Sequence, residues 1–175
     1  MGLIHKTKFV PFIDVSTTTT PSWVQIKKST TFSLAFNPQT KTFDFISSEN
    51  PEEEIDSYQP ALSQSLTMFD DEPDFQTVFE MAYHLPTGGD AHKDVLLVFY
   101  AKKYVTEDTT PVTYYAAWKV NSVVKLGTLD SVNQSIDFDL ALNERTEGAV
   151  TVANGVPTFV AGTWDDDDDT FTPAA

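Results

Sequence analysis

His84, Asp90, His92 and Asp94 fall within eleven residues, and imidazoles close to carboxylates are the raw material of a metal site. Their spacing matches neither the 3.6-residue period of a helix nor the two-residue period of a strand. Pro86, Gly88 and Gly89 also intervene, so a polar loop is the plainer reading. Asp137 and Asp139 form a second constellation. Paired acids on one face could do glycosidase work, yet nothing marks a cleft around them, and alternating acids usually make the wet face of a strand. Five consecutive Asp at 165–169 bring charge suited to Ca²⁺ but not the spaced ligands and turn that Ca²⁺ sites use, so they read as a solvated acidic tail. Trp23, Tyr58, Tyr114, Tyr115, Trp118 and Trp164 could stack on a sugar, although core or interface packing explains them as well. No Gly-rich phosphate loop, HExxH, nucleophile elbow or EF-hand spacing occurs, and there is no Cys. The expectation is a protein that is not an enzyme and carries no metal or cofactor.

The elements that must hold these residues read mainly as strands. Ile136, Phe138, Leu140 and Leu142 alternate with Asp137, Asp139, Ala141 and Asn143, so one strand face is buried and the other is wet and acidic. Residues 94–104 (DVLLVFYAKKY) are nearly all apolar at their start, which predicts a central strand buried on both faces. Residues 114–125 and 130–143 predict two more central strands joined near Gly127, with a turn at 146–148. Asn154-Gly155 between apolar runs predicts a tight hairpin, because both residues accept left-handed backbone angles. Residues 23–27, 32–36 and 41–46 predict short strands, the last two forming a hairpin across Asn37-Pro38. Residues 47–54 read as an acidic loop, and 55–69 as a long edge strand kinked at Pro60. One helix is expected after the acidic, Pro-containing start at 70–74, with Phe75, Val78, Phe79 and Ala82 as its apolar stripe. Together these predict an antiparallel β-sandwich or barrel of about eight strands with one flanking α-helix. The chain divides into an N-terminal arm (1–20), a β domain (21–164) and the acidic tail (165–175).

Charge narrows the function. The net charge of −15 opposes binding to nucleic acid, which Lys and Arg drive by displacing counterions, and to anionic membranes. The charges are also segregated. Lys6, Lys8, Lys27, Lys28 and Lys41 face Asp14 alone within residues 1–41, whereas residues 42–92 hold twelve Asp and Glu and no Lys or Arg. No apolar run approaches the ~18 residues of a membrane span. The first fifteen residues lack both an apolar stretch and a small-residue cleavage site, so no signal peptide is expected.

Several stretches, taken in order, resemble the major tail proteins that form the tail tube of long-tailed bacteriophages. They are 29–54 (STTFSLAFNPQTKTFDFISSENPEEE), 58–68 (YQPALSQSLTM), the helical region 72–89, 117–132 (AWKVNSVVKLGTLDSV) and 135–164 (SIDFDLALNERTEGAVTVANGVPTFVAGTW). The resemblance implies a β-sandwich or barrel with a flanking helix, in subunits that form rings, usually hexameric, stacked into a hollow tube. Arms and a long loop reach the next ring, and the genome leaves through the bore. It implies partners among other tail proteins (tape measure, tail terminator, distal tail) and a virion location after synthesis in the host bacterial cytoplasm. Many members add an immunoglobulin-like domain, which a chain ending at Ala175 is not expected to hold.

Two expectations follow for named residues. Asp137 and Asp139 face the bore, where an acidic wall repels the DNA backbone over about 8 Å at physiological salt. The basic set Lys6, Lys8, Lys27 and Lys28 meets the acidic set Glu49, Glu52, Glu53, Glu54 and Asp56 of the next ring, a head-to-tail contact that propagates as a filament. On this reading, removing residues 1–20 leaves a folded monomer that cannot polymerise. The alternative is a monomeric carbohydrate-binding or adhesin-like β-sandwich that uses the aromatic residues.

Overall fold

The computed structural model describes residues 2–174. In chain order the elements are β1 (Phe9–Asp14), β2 (Trp23–Gln25), β3 (Ser29–Ala35), β4 (Pro38–Phe43), β5 (Glu52–Tyr58), β6 (Ala61–Thr67), α1 (Pro73–His84), β7 (His92–Val105), β8 (Thr113–Asp130), β9 (Ser135–Ala153), β10 (Val156–Trp164) and β11 (Phe171–Pro173). Short 3-10 turns precede β1 and β7. The expected class holds: the fold is antiparallel β with one helix. Nine strands form a curled sheet and two form a separate hairpin.

The long strands β8 and β9 organise the sheet. β9 pairs with β8 over most of its length, and its other edge is shared. The first half, Ser135–Ala141, pairs with β6, which in turn pairs with β3; the second half, Gly148–Ala153, pairs with β10, which pairs with β11. On the far side β8 pairs with β7, β7 with β1, and β1 with β2. β7 is buried on both faces only over Val95–Val98, where its run is most apolar; from Phe99 on its residues are half-buried or exposed. Val95 and Leu97 join Ile13, Leu62, Leu66, Val120 and Leu140 in one core, while Leu96 and Val98 join Val10, Phe12 and Val150 in a second. Each fully buried Leu or Ile contributes about 1.5–3 kcal/mol relative to exposure.

α1 closes the first core with Val78 and Met81, whereas Phe79 is 41% exposed. Phe75 and Ala82 of the expected stripe also pack against that core, so the stripe keeps Phe75, Val78 and Ala82, gains Met81 and leaves Phe79 exposed. Asp74, in the first turn, is fully buried; it accepts hydrogen bonds from the backbone amides of Lys27 (3.2 Å) and Phe75 (2.9 Å), and so ties the helix start to the β2–β3 connection.

Several expected boundaries move. The turn between β8 and β9 lies at residues 131–134, not at Gly127. The Asp130 carboxylate accepts from the amides of Val132 (2.9 Å) and Asn133 (3.0 Å) and from the Asn133 side chain (2.6 Å). These hydrogen bonds, that of the Asn133 backbone amide foremost, hold the Asp130 carboxyl below its ordinary value. A depressed carboxyl stabilises the turn above the unfolded pKa of about 4 and loses that stabilisation as pH falls through the lower folded value. The Val132 and Asn133 amide resonances should therefore titrate below pH about 4, and the turn should exchange faster there. Amide shifts flat down to pH 2 would contradict this.

No turn forms at 146–148, because β9 continues through it and only changes neighbour. Gly148 is needed there since a Cβ would stand 2.5 Å from the Val160 carbonyl oxygen and 2.7 Å from the Phe159 ring. The Asn154-Gly155 hairpin is present, with both residues at positive φ (52° and 79°). β3 and β4 do not pair with each other: β3 pairs with β6, and β4 with β5. The region 55–69 is extended as expected, but broken at Pro60 into β5 and β6, and β6 is paired on both sides.

The end segments also differ from expectation. Residues 9–14 are not an arm. β1 is a paired strand whose Val10, Phe12 and Ile13 enter the two cores. The acidic stretch 165–169 is not a free tail either. It is the turn between β10 and β11, closed by the Asp165 amide donating to the Thr170 carbonyl (2.9 Å) and anchored by buried Phe171.

Candidate functional site

Asp137 and Asp139 lie where the alternation puts them, exposed on the face of β9 opposite Ile136, Phe138 and Leu140. On neighbouring β6, the Ser65 hydroxyl donates to Asp137 (2.5 Å) and the Ser63 hydroxyl to Asp139 (2.6 Å). On the other side, Lys125 of β8 is in register with Asp139. Asp137, Asp139, Ser63 and Ser65 line a shallow hollow of about 360 Å³ together with Thr31 of β3. No Trp or Tyr lines it. Charge and hydroxyls on a flat wall suit water and repulsion of anions better than they suit gripping a substrate.

The acidic set lies on the β4–β5 hairpin, which among the described residues pairs with no other strand and whose two strands are exposed throughout. Glu52, Glu54 and Asp56 share one face with Lys41, which ion-pairs with Asp56; Glu53 shares the other face with Ile55, and Glu49 lies in the loop at the tip. Phe43, Phe45, Ile46, Ile55 and Tyr58 are all exposed here, Phe43 and Phe45 stacked 5.7 Å apart. A free two-stranded hairpin is at best marginally stable in water, and a concentrated apolar surface marks a contact site.

The basic set is only partly gathered. Lys6 and Lys27 line one groove, while the Lys28 ammonium turns to the Phe69 ring, 5.2 Å away. Lys8 closes the 3-10 turn before β1. The ion pairs among the described residues are Lys41–Asp56, His84–Glu80, Lys102 with Asp166 and Asp169, and Arg145–Glu147. None joins the basic set to the hairpin within one chain.

The metal candidates are dispersed. His92 Nδ1 lies 2.6 Å from the Asn121 amide oxygen, and the Asn121 amide nitrogen donates to Asp94 (2.9 Å), so these three form a hydrogen-bond chain. His84 sits instead beside Glu80 on α1. Among the described residues no group of three or more His, Asp or Glu is placed to hold an ion. No helix among them is long and apolar enough to cross a membrane.

Two tryptophans border a cleft of about 400 Å³ with Phe9 and Phe99. Trp118 has the Arg145 guanidinium over its ring at 4.5 Å and Phe99 edge-on at 5.0 Å. Trp164 has the Lys102 ammonium at 5.2 Å and Phe171 at 5.3 Å, and its indole N–H donates to the Gly148 carbonyl. Lys102 is held protonated above its ordinary range, first by its hydrogen bond to Asp166. The chain's own side chains thus already stack on these indoles, where a sugar would need them free.

The residue that sequence reading passes over is Gln64. It occupies a core-facing position of β6 between Leu62 and Leu66 and is 3% exposed, and among the described residues neither its amide oxygen nor its amide nitrogen has a partner. Its one signal is a Gln where the two-residue alternation calls for an apolar residue.

No protein-family model matches the chain, and no curated protein does. Among solved structures it is similar to a chain in the cryo-EM structure of the anti-feeding prophage baseplate, 6-fold symmetrised. The identity is 12%, over 84% of this chain and 95% of that one, with a TM-score of 0.42. A likeness that loose carries no argument.

Proposed function

We propose that this chain is a structural virion protein, not an enzyme, whose copies form stacked rings, hexameric by the resemblance, that make the hollow tail tube of a long-tailed phage. The observation that carries this reading is the projecting β4–β5 hairpin. It gathers exposed Phe43, Phe45, Ile46, Ile55 and Tyr58 beside its acids, and among the described residues it pairs with no other strand. Self-assembly gives that surface a use, and free edges such as that of β3 become joints between copies. Asp137 and Asp139 line the bore, which genomic DNA crosses without specific binding. The hairpin acids Glu49, Glu52, Glu53, Glu54 and Asp56 reach the Lys6–Lys28 region of the next ring. The other partners are the tape measure, terminator and distal tail proteins.

Sedimentation velocity on a Lys27→Glu/Lys28→Glu variant tests this contact. The wild type should polymerise best at intermediate salt, where repulsion between chains of charge −15 is screened but the local unlike-charge contact survives. The variant should need at least about tenfold more protein to polymerise, as two contacts change from attraction to repulsion. An unchanged concentration dependence would refute the inter-ring assignment. A density map with Asp137 and Asp139 on the outer surface would refute the bore assignment.

A further inference from the structure

The curled sheet has free edges at β2, β3 and β11, and one opening lies between β3 and β1. Among the described residues β3 pairs only with β6, and residues 9–11 of β1 pair only with β7 apart from one hydrogen bond from the Ile26 amide to the Pro11 carbonyl. These two edges border a groove of about 700 Å³ floored by Val10, Ile26 and Phe32, with Lys6 and Lys27 at its rim and Gln64 buried in its wall. A buried amide left without partners costs about 1–3 kcal/mol, so its retention needs a reason. Both of its groups are free, a donor and an acceptor, which together match one backbone peptide group.

We infer that this groove is the seat of strand β5 from a second copy of the chain, entering as an extended strand along β3 with one of its peptide groups paired to the Gln64 amide. The inference rests on the self-assembly reading above and names the surface where the hairpin lands. Three features select β5. It already has strand geometry and one edge unpaired by β4. Its Glu52 and Glu54, on the face opposite Ile55, complement the lysine rim in a chain whose charge is otherwise strongly negative. Its alternation presents Ile55, 57% exposed in the free chain, to an apolar floor that includes Phe32, 41% exposed. Strand addition supplies main-chain hydrogen bonds for affinity, and the Gln64 amide fixes register, since a one-residue slip would point the wrong face of β5 into the groove.

The chain has no Cys, so engineered thiols report without background. Ile55→Cys and Thr30→Cys would be made as separate single variants, mixed under mild oxidant, and run on a non-reducing gel beside electron micrographs of the same sample. A disulfide in the mixture can only join two copies. The mixed dimer should exceed the dimer of either variant alone by at least about tenfold. A mixture that does no better than its components overturns the inference; if the micrographs then show polymers, the tube reading survives, and if they do not, both fall. Mixed dimers without rings or tubes uphold the β5 contact and count against the tube. Gln64→Leu separates register from packing. It should raise the melting temperature of the free chain, because an orphan amide is removed, yet weaken mixed-dimer formation about five- to tenfold through the lost hydrogen bonds. Unchanged cross-linking in that variant would overturn the role of the amide.

Discussion

Excising residues 38–58 and joining Asn37 to Gln59 through a short Gly-Ser linker should yield a folded monomer that no longer polymerises at any concentration. The ends to be joined are already neighbours: the Gln59 amide donates to the Asn37 carbonyl (3.2 Å), and the Asn37 side chain donates to the Gln59 carbonyl (3.1 Å). The hairpin adds no residue to either core, so its loss should shift the melting temperature by only a few degrees, within the small cost of changing a surface loop. Assembly should suffer the full effect, because the acidic strand and the exposed Phe43, Phe45 and Ile55 leave together. Circular dichroism checks the fold and light scattering the assembly. Polymers as abundant as those of the wild type would remove the hairpin from the account.

Deleting residues 1–20 should have the opposite character: loss of the fold itself. The sequence reading expects a dispensable arm there, but β1 pairs with both β2 and β7 and sends Ile13 into one core and Phe12 into the other. Removing it strips β7, buried on both faces over Val95–Val98, of a neighbour. Ile13→Ala alone should cost about 2–5 kcal/mol in urea denaturation, a large part of the about 5–15 kcal/mol that holds a domain together. Deleting only residues 2–5, which lie outside any strand and are exposed, should leave the midpoint unchanged. A soluble, cooperatively melting Δ1–20 protein would show that β1 is not integral.

The parts of the fold that show in the sequence are those set by local pattern. β7 shows as an apolar run, the start of β9 as strict alternation, the β9–β10 turn as Asn-Gly, and α1 by its acidic, Pro-containing start. What hides is set by distant neighbours. The 1–20 segment looks like an arm because Pro11 and a Thr run obscure a strand whose burial depends on β7, more than eighty residues away. Residues 146–148 look like a turn because Gly148 is read as flexible, whereas the Phe159 ring and the Val160 carbonyl leave it no room for a side chain. β3 pairs with β6 rather than β4 because β6, paired to β9 on one side, offers β3 its other edge, which no local pattern carries. For the candidate site, alternation alone places Asp137 and Asp139 on an exposed face. The acidic hairpin shows in the sequence as charge but not as a projecting element, and Gln64 becomes notable only once its surroundings show it to be buried and unpartnered.

The most direct test of the assembly claim is negative-stain electron microscopy of the purified full chain, concentrated at moderate salt. Rings, or hollow tubes of stacked rings, are the expected result. Compact monomers alone, at every concentration and even when seeded with a tail initiator complex, would contradict it.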